Sequence, residues 1–446
     1  MKNCHSCLQS SRRELLSGMG AWAALSTLAR PGDAQTTQLP VTPQNSARAC
    51  VFVNLVGAAS HLDTFDPKDA PWNPPDANLR QYPGGMVLSQ TLFPELSRFT
   101  ADLCILRSVV SWEAAHERGQ FYLQTAHPQN PAFIAESPHI GAVVALEKGG
   151  QGKVPPFLAL NGSAGRGATF LGGRYEPMLA PATPGGFSTL EHPYFGAASR
   201  ARFEQRYAVL QRLDSAARSA PYDPAMANHA AFYDAAKQLM YDPAVADIFR
   251  FSSDDDARYG GSGFGRSCIV ARDAIRAANG VVFINISHFG WDTHQSMFDR
   301  GYAPNMYTLC NELDRGVGKL VEDLKASGHL ATTLIVLMSE FGRTPGLLNA
   351  RGGRDHHKNA MSVAMLGGGV RGGRVIGATD PDGDRVVDPG WHQQRPIYVE
   401  DITCTLYSAL GINWTKSIAE TPSKRRFEYV GFASEGRYTA VREVFG

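Results

Sequence analysis

Acids and imidazoles gather in the last third of this chain, most of them just past apolar runs. Asp292 and His294 share the segment Gly-Trp-Asp-Thr-His, Glu340 opens Glu-Phe-Gly-Arg with Arg343 three residues on, and Asp355, His356 and His357 form a run. Carboxylate oxygen and imidazole nitrogen are the donors that hold divalent ions, and ions so held polarise an ester oxygen or supply a nucleophile at neutral pH. Residues two apart in an extended segment face the same side, so Asp292 and His294 are expected to face one ion. At most two of the three residues 355–357 need be ligands. Asp63 stands apart, near the start, in Ser-His-Leu-Asp-Thr-Phe-Asp. Alone it reads equally well as an Asx turn, and Glu340 alone as an acid at a helix N-terminus. Together with Asp355 and His356 they read as ligands of a site for one or two metal ions. Arg343 is expected either to pair with Glu340 or to hold a substrate oxyanion. His116 opens a helix, where backbone N–H groups favour an anion, and is left as a ligand, a proton donor or a cap neighbour.

Such residues need elements to aim them. Cys50–Val56, Leu103–Val110, Val281–Ile286 and Thr333–Met338 are apolar runs rich in β-branched residues and read as buried strands of a parallel sheet. In such sheets ligands bind beyond the carboxyl ends of the strands, which is where Asp63, His116, Asp292 and Glu340 fall. Between the strands the apolar spacing turns helical, most clearly over Tyr307–Ala326, where Leu309, Leu313, Val317, Leu320, Val321 and Leu324 make one stripe. Further strands are expected at Pro156–Leu160 and Ser362–Leu366, and a last helix at Glu400–Leu410. Alternation of strand and helix implies an α/β fold with a mostly parallel central sheet. From about residue 162 to 263 the pattern becomes Gly-rich and then polar and helical, including Ala201–Leu213 and His229–Leu239. That stretch is expected to be a partly helical insertion or cap.

The amino-terminal segment has the three parts of an export signal. Ser11-Arg12-Arg13-Glu14-Leu15-Leu16 carries paired arginines, Met19–Ala29 is short and mildly apolar, and Ala34 ends a small-residue stretch. Residues 1–34 are therefore expected to be a Tat-type signal peptide and 35–47 a linker to a domain over 48–446, with a periplasmic or extracellular destination. The apolar stretch is too short for a permanent anchor, so no transmembrane segment is expected after cleavage. Net charge is +1, which gives no basic excess to suggest nucleic acid. Cys4-x-x-Cys7 lies inside the presumed signal, and Cys50, Cys104, Cys268, Cys310 and Cys404 sit mostly in apolar surroundings, where small buried thiols are expected although one disulfide stays open.

The motifs Gly-Ala-Ala-Ser-His-Leu-Asp-Thr-Phe-Asp, Tyr259-Gly260 with Phe264-Gly265-Arg266-Ser267-Cys268, Gly290-Trp291-Asp292-Thr293-His294, Ser339-Glu340-Phe341-Gly342-Arg343-Thr344-Pro345 and Gly353-Arg354-Asp355-His356 resemble the DUF1501 family over about residues 48–415. That family resembles a branch of the alkaline phosphatase and sulfatase superfamily. The resemblance implies a three-layer α/β/α sandwich and a site for one or two divalent ions, with zinc, calcium and manganese undistinguished. It sets Asp63 at the early metal-binding Asp, Asp292 and His294 at the later pair, and His356 or His357 at the final ligand His. A nucleophile is expected where the helix after the second strand opens, and there the chain offers Ser108, Ser111 and His116-Glu117 but no sulfatase Cys-x-Pro-x-Arg. The expectation is an exported metal-dependent hydrolase of phosphate or sulfate esters, small-molecule or glycan, with metal-activated attack on the ester. Ser111, His116 and Arg343 are the catalytic candidates, His116 and Arg343 contacting the oxyanion. The alternative is a non-catalytic binding protein, or a partner subunit of an exported complex, that keeps the fold.

Overall fold

The computed structural model describes residues 41–149, 152–180, 182–184, 186, 197–215, 242–419 and 421–446. The expected signal peptide, residues 35–40 of the expected linker and the helix expected at His229–Leu239 lie outside them.

The core is an eight-stranded sheet. Its strands in chain order are β1 (Ala49–Leu55), β2 (Leu103–Val109), β3 (Phe157–Leu160), β4 (Met178–Leu179), β5 (Phe283–His288), β6 (Thr333–Met338), β7 (Met361–Leu366) and β8 (Arg374–Ile376). Across the sheet the order is β8-β2-β7-β6-β1-β5-β3-β4. β1 is central and runs parallel to both neighbours, with Val51 opposite Ile284 on one side and Ile335 on the other. Every pairing is parallel except those of β7, which runs antiparallel to β2 and β6. All seven residues of β1 and of β2 are buried, as strands covered on both faces must be.

Alternate side chains feed two separate cores. Val51, Val53, Ile284, Ile286, Ile335 and Leu337 face one layer, and Cys50, Phe52, Phe283, Leu334 and Val336 the other. Helices α3 (Gly263–Ala277) and α4 (Met306–Ala326) cover the first face. The stripe Leu309, Leu313, Val317, Leu320, Val321 and Leu324 is buried there as the sequence spacing requires, each side chain contributing about 1.5–3 kcal/mol. Asn305 starts α4 with a reciprocal capping box with Thr308. Helices α1 (His116–Thr125), α2 (Ile140–Lys148) and α5 (Val399–Ala409) cover the second face. The result is the three-layer α/β/α sandwich, with a mixed rather than wholly parallel sheet.

The segment expected as an insertion is partly sheet. β4 adds to the edge of the sheet beside β3, and helices follow at Ala197–Leu213, Pro243–Ile248 and Ser253–Arg258. Among the described residues no helix is long and apolar enough to cross a membrane. Cys50, Cys104, Cys268, Cys310 and Cys404 are all buried free thiols.

Candidate metal centre

Four segments deliver side chains to the carboxyl edge of the sheet. β2 ends at Val109 and leads through residues 110–115 to His116, the first residue of α1. β5 ends at His288 and leads to Asp292 and His294. β6 ends at Met338, next to Ser339 and Glu340. β7 contributes in reverse. Because it is antiparallel, its start lies at this edge, and His356 precedes it in a short ladder with Gly342–Arg343.

One donor atom from each of His116, Asp292, His294 and His356 lies within 4.8 Å of the others. The three imidazoles are oriented alike. His116 Nδ1 lies 2.8 Å from Glu340 Oε1, His294 Nδ1 2.7 Å from Asp355 Oδ1, and His356 Nδ1 2.7 Å from the Ala114 carbonyl. A carboxylate or carbonyl oxygen only accepts, so each Nδ1 carries the proton and each Nε2 is left with a lone pair. Those Nε2 atoms converge. His116 and His294 place theirs 3.1 and 3.0 Å from Asp292 Oδ1, and His356 places its own 3.7 Å from that oxygen. His294 Nε2 is 3.0 Å from His356 Nε2. Arg343 brings one positive charge to this convergence, Nη1 lying 3.4 Å from His294 Nε2 and Nη2 donating to Asp292 Oδ1, and a bound ion would relieve the remaining repulsion between lone pairs. Donors held about 2.0–2.1 Å from one tetrahedral ion lie about 3.3 Å apart, so the set fits a single ion.

The groups behind the ligands are fixed. Glu340 is fully buried and also accepts from the Gly57 N–H at 3.0 Å and from Gln120 Nε2 at 2.8 Å. Gly57 reaches it with φ +105°, and a Cβ there would lie 2.6 Å from the Asp292 backbone nitrogen. Gly353 likewise lets the following loop press on His294, whose carbonyl carbon is 2.1 Å from where a Cβ would sit. The Phe341 ring, wholly buried, lies 5.1 Å from His116 and 4.9 Å from His356 and forms an apolar wall. The solvent side stays open, since the Asp292 side chain is 49% exposed and those of His116 and His294 33% and 28%.

Charge follows the geometry. The hydrogen bond to Glu340 lifts His116 above an ordinary imidazole more than burial lowers it, and the charge of Asp292 adds to the rise. Burial works against ionising Asp292, but the hydrogen bond and charge of Arg343 hold its carboxyl below the usual range. Burial depresses His356, and the Arg343 charge adds to it. The hydrogen bond from His294 holds Asp355 low.

The residues expected at the site do not all meet. Asp63 is not in the cluster. Its side chain is buried against Arg354 Nε at 2.7 Å and Ser60 Oγ at 2.5 Å. Glu340 and Asp355 stand behind the imidazoles of His116 and His294, their oxygens turned to Nδ1 hydrogens. Arg343 has no surface for a substrate. It is fully buried and spends its donors on the carbonyls of Ala58, Gly57 and Arg354 and on Asp292 Oδ1 at 2.5 Å. Ser111 is buried, and its hydroxyl accepts from the Glu113 N–H in the turn before His116. His116, expected at an oxyanion, is grouped with the ligand atoms instead. Its place after a strand end, like those of Asp292 and Glu340, was the available signal. His357 turns away, with Nε2 2.7 Å from the Asp384 carbonyl.

Comparison with known proteins adds the family. No curated protein matches the chain. Among solved structures, a sulfatase from Pseudoalteromonas sp. is 13% identical, aligned over 93% of this chain and 74% of its own, with a TM-score of 0.37. A protein in the alkaline phosphatase superfamily from Vibrio parahaemolyticus is 10% identical over 85% of this chain and 73% of its own, with a TM-score of 0.35. A phosphonate monoester hydrolase of Agrobacterium radiobacter is 13% identical over 82% and 74%, with a TM-score of 0.34. At these identities and scores the likenesses carry no argument about chemistry, which rests on the residues above. The family model described as "Protein of unknown function (DUF1501)" matches residues 47–437. The chain, with its α/β/α sandwich and its cluster of three imidazoles and a carboxylate, belongs to the DUF1501 family.

Proposed function

We propose that the protein is a metal-dependent hydrolase of phosphate or sulfate esters, and that His116, Asp292, His294 and His356 hold its metal. The observation that carries this reading is the convergence of three Nε2 lone pairs and one carboxylate at a solvent-open edge, each imidazole anchored through Nδ1. The side facing solvent is open, and an ion held by all four donors would take a substrate oxygen by expanding to five-coordinate, as catalytic zinc sites do. Three nitrogens and one carboxylate suit zinc or a neighbouring transition ion and do not suit calcium, which takes six to eight oxygens. A divalent ion there supplies positive charge for an ester oxygen and acidifies water.

The chain's own residues prepare that chemistry. Glu340, Asp355 and the Ala114 carbonyl select the tautomer and make the imidazoles better donors. Phe341 closes the inner side against water. Arg343 holds Asp292 in place and pins the backbone at Gly57 and Ala58. With Ser111 turned to its own loop, the reading needs no covalent intermediate. The engaged Ser111 hydroxyl and the buried Arg343 also favour a second reading, a non-catalytic binding protein that keeps the metal.

Elemental analysis of the purified chain, followed by hydrolysis assays on p-nitrophenyl phosphate and sulfate, tests both readings. Metal-dependent turnover lost in Asp292→Asn and His294→Ala is the expected result. Bound metal with no turnover on any ester would select the binding protein, and a folded chain that takes up no metal would defeat the assignment of the centre. The same reading places the protein outside the cytoplasm, on the strength of Arg12-Arg13 and the segment that follows.

A further inference from the structure

Two-ion centres clamp the attacking and leaving oxygens of a displacement with ions about 3.5–4 Å apart, and they need a second set of carboxylates to do so. The acids that could supply it here are Asp63 and Glu340, and neither has an oxygen to give. Glu340 accepts from His116, Gly57 and Gln120. Asp63 Oδ2 accepts from Arg354 Nε at 2.7 Å and from Ser60 Oγ, and Asp63 Oδ1 faces Arg354 Nη2 at 3.5 Å.

Arg354 is an unusual partner. Its side chain has no solvent exposure. Nη1 donates to the carbonyls of Thr344 at 2.9 Å and Gly346 at 2.7 Å, so the guanidinium is held from both ends. Its backbone N–H donates to the carbonyl of Thr293, the residue between Asp292 and His294, and its own carbonyl accepts from Arg343 Nη1 at 3.2 Å. Asp355 and His356 follow it directly. A full positive charge is thus buried in the segment that leads to Asp355 and His356, and it is matched to Asp63.

Resting on the metal-centre reading above, we propose that this site holds one ion per chain, Asp63 being engaged by the Arg354 guanidinium and not by a second ion. Asp63 is then a positioning residue. It anchors Arg354, and through Arg354 the segment that carries Asp355 and His356.

The test is the ion count of the full chain after equilibration with excess zinc and removal of free metal. One zinc per chain is expected, and also in Asp63→Asn. Because Asp63→Asn leaves a buried charge without its partner and can unfold the chain, the double variant D63N/R354Q, neutral on both sides, is measured beside it. The double variant should still hold one zinc, with affinity lowered no more than the about 10–100-fold typical of groups behind the ligands, whereas Asp292→Asn should exceed that loss. Two zinc ions in the wild type, or loss of the ion in both a folded D63N and a folded D63N/R354Q, overturns the proposal while leaving the metal centre standing. No zinc in the folded wild type overturns both.

Discussion

At the scale of single residues, the decisive contacts are those that hold the imidazoles. Glu340→Gln keeps size and removes the charge that fixes His116. Metal affinity should fall about 10–100-fold with the count per chain unchanged, which isothermal titration would read. Gly57→Ala has two costs, a left-handed backbone and a Cβ 2.6 Å from the Asp292 nitrogen. It should lose about 1–3 kcal/mol in denaturant unfolding and weaken metal binding as well, because the displaced strand end carries the Arg343 and Glu340 contacts. The thiols offer a simpler check. Burial pushes Cys104 up to about 12 and raises Cys50 and Cys268 further, so all should resist alkylation until the chain unfolds. Reaction of a thiol in the native protein would contradict their burial. The sequence brought Asp292, His294 and His356 forward as candidate ligands, since donor types clustered after apolar runs, and the structure places them together. The sequence could not show which oxygens were already taken. Asp63 meets Arg354 across 291 residues and Glu340 meets His116 across 224, and no local pattern records such partnerships.

Helices and strands decide which of those partnerships can form. α1 carries His116 at its first residue and is pinned further along by Tyr122, whose hydroxyl donates to Glu400 at the start of α5. Burial raises the Glu400 carboxyl to about 8, so it stays protonated in the folded state well above the pH at which it ionises in the unfolded chain. The unfolded state therefore binds fewer protons between about pH 4.5 and 8, and stability should fall as pH rises through that window. Glu400→Gln should flatten the dependence, and midpoints in urea at pH 5 and pH 8 would show it. An unchanged slope would mean that Glu400 is ionised in the fold. Strand positions were legible from apolar runs and the α/β class from their alternation with helices, while the three layers were what the family resemblance implied. The direction of β7 was not. A short buried run reads the same both ways, and only its pairing with β2 and β6 sets it antiparallel. β4 was missed for a related reason, being a two-residue edge strand inside a stretch of turns.

For the whole molecule, the export reading predicts that replacing Arg12 and Arg13 with lysine leaves the protein in the cytoplasm, which fractionation would detect, while metal content stays unchanged. Delivery to the periplasm regardless would refute the twin-arginine route. The four clustered side chains, meanwhile, are far apart in the chain, from His116 to His356. His356 arrives last, on the approach to the one reversed strand, and β7 slots between β2 and β6, both synthesised before it. During synthesis the first three donors are thus complete while the gap in the sheet is still open, and an ion meeting the nascent chain finds only a partial grip. Tight capture has to wait until the ribosome has released residue 366 and the missing strand has zipped in. On the metal-centre reading, loading is then a late event, and a bound ion would certify that the middle of the sheet has closed.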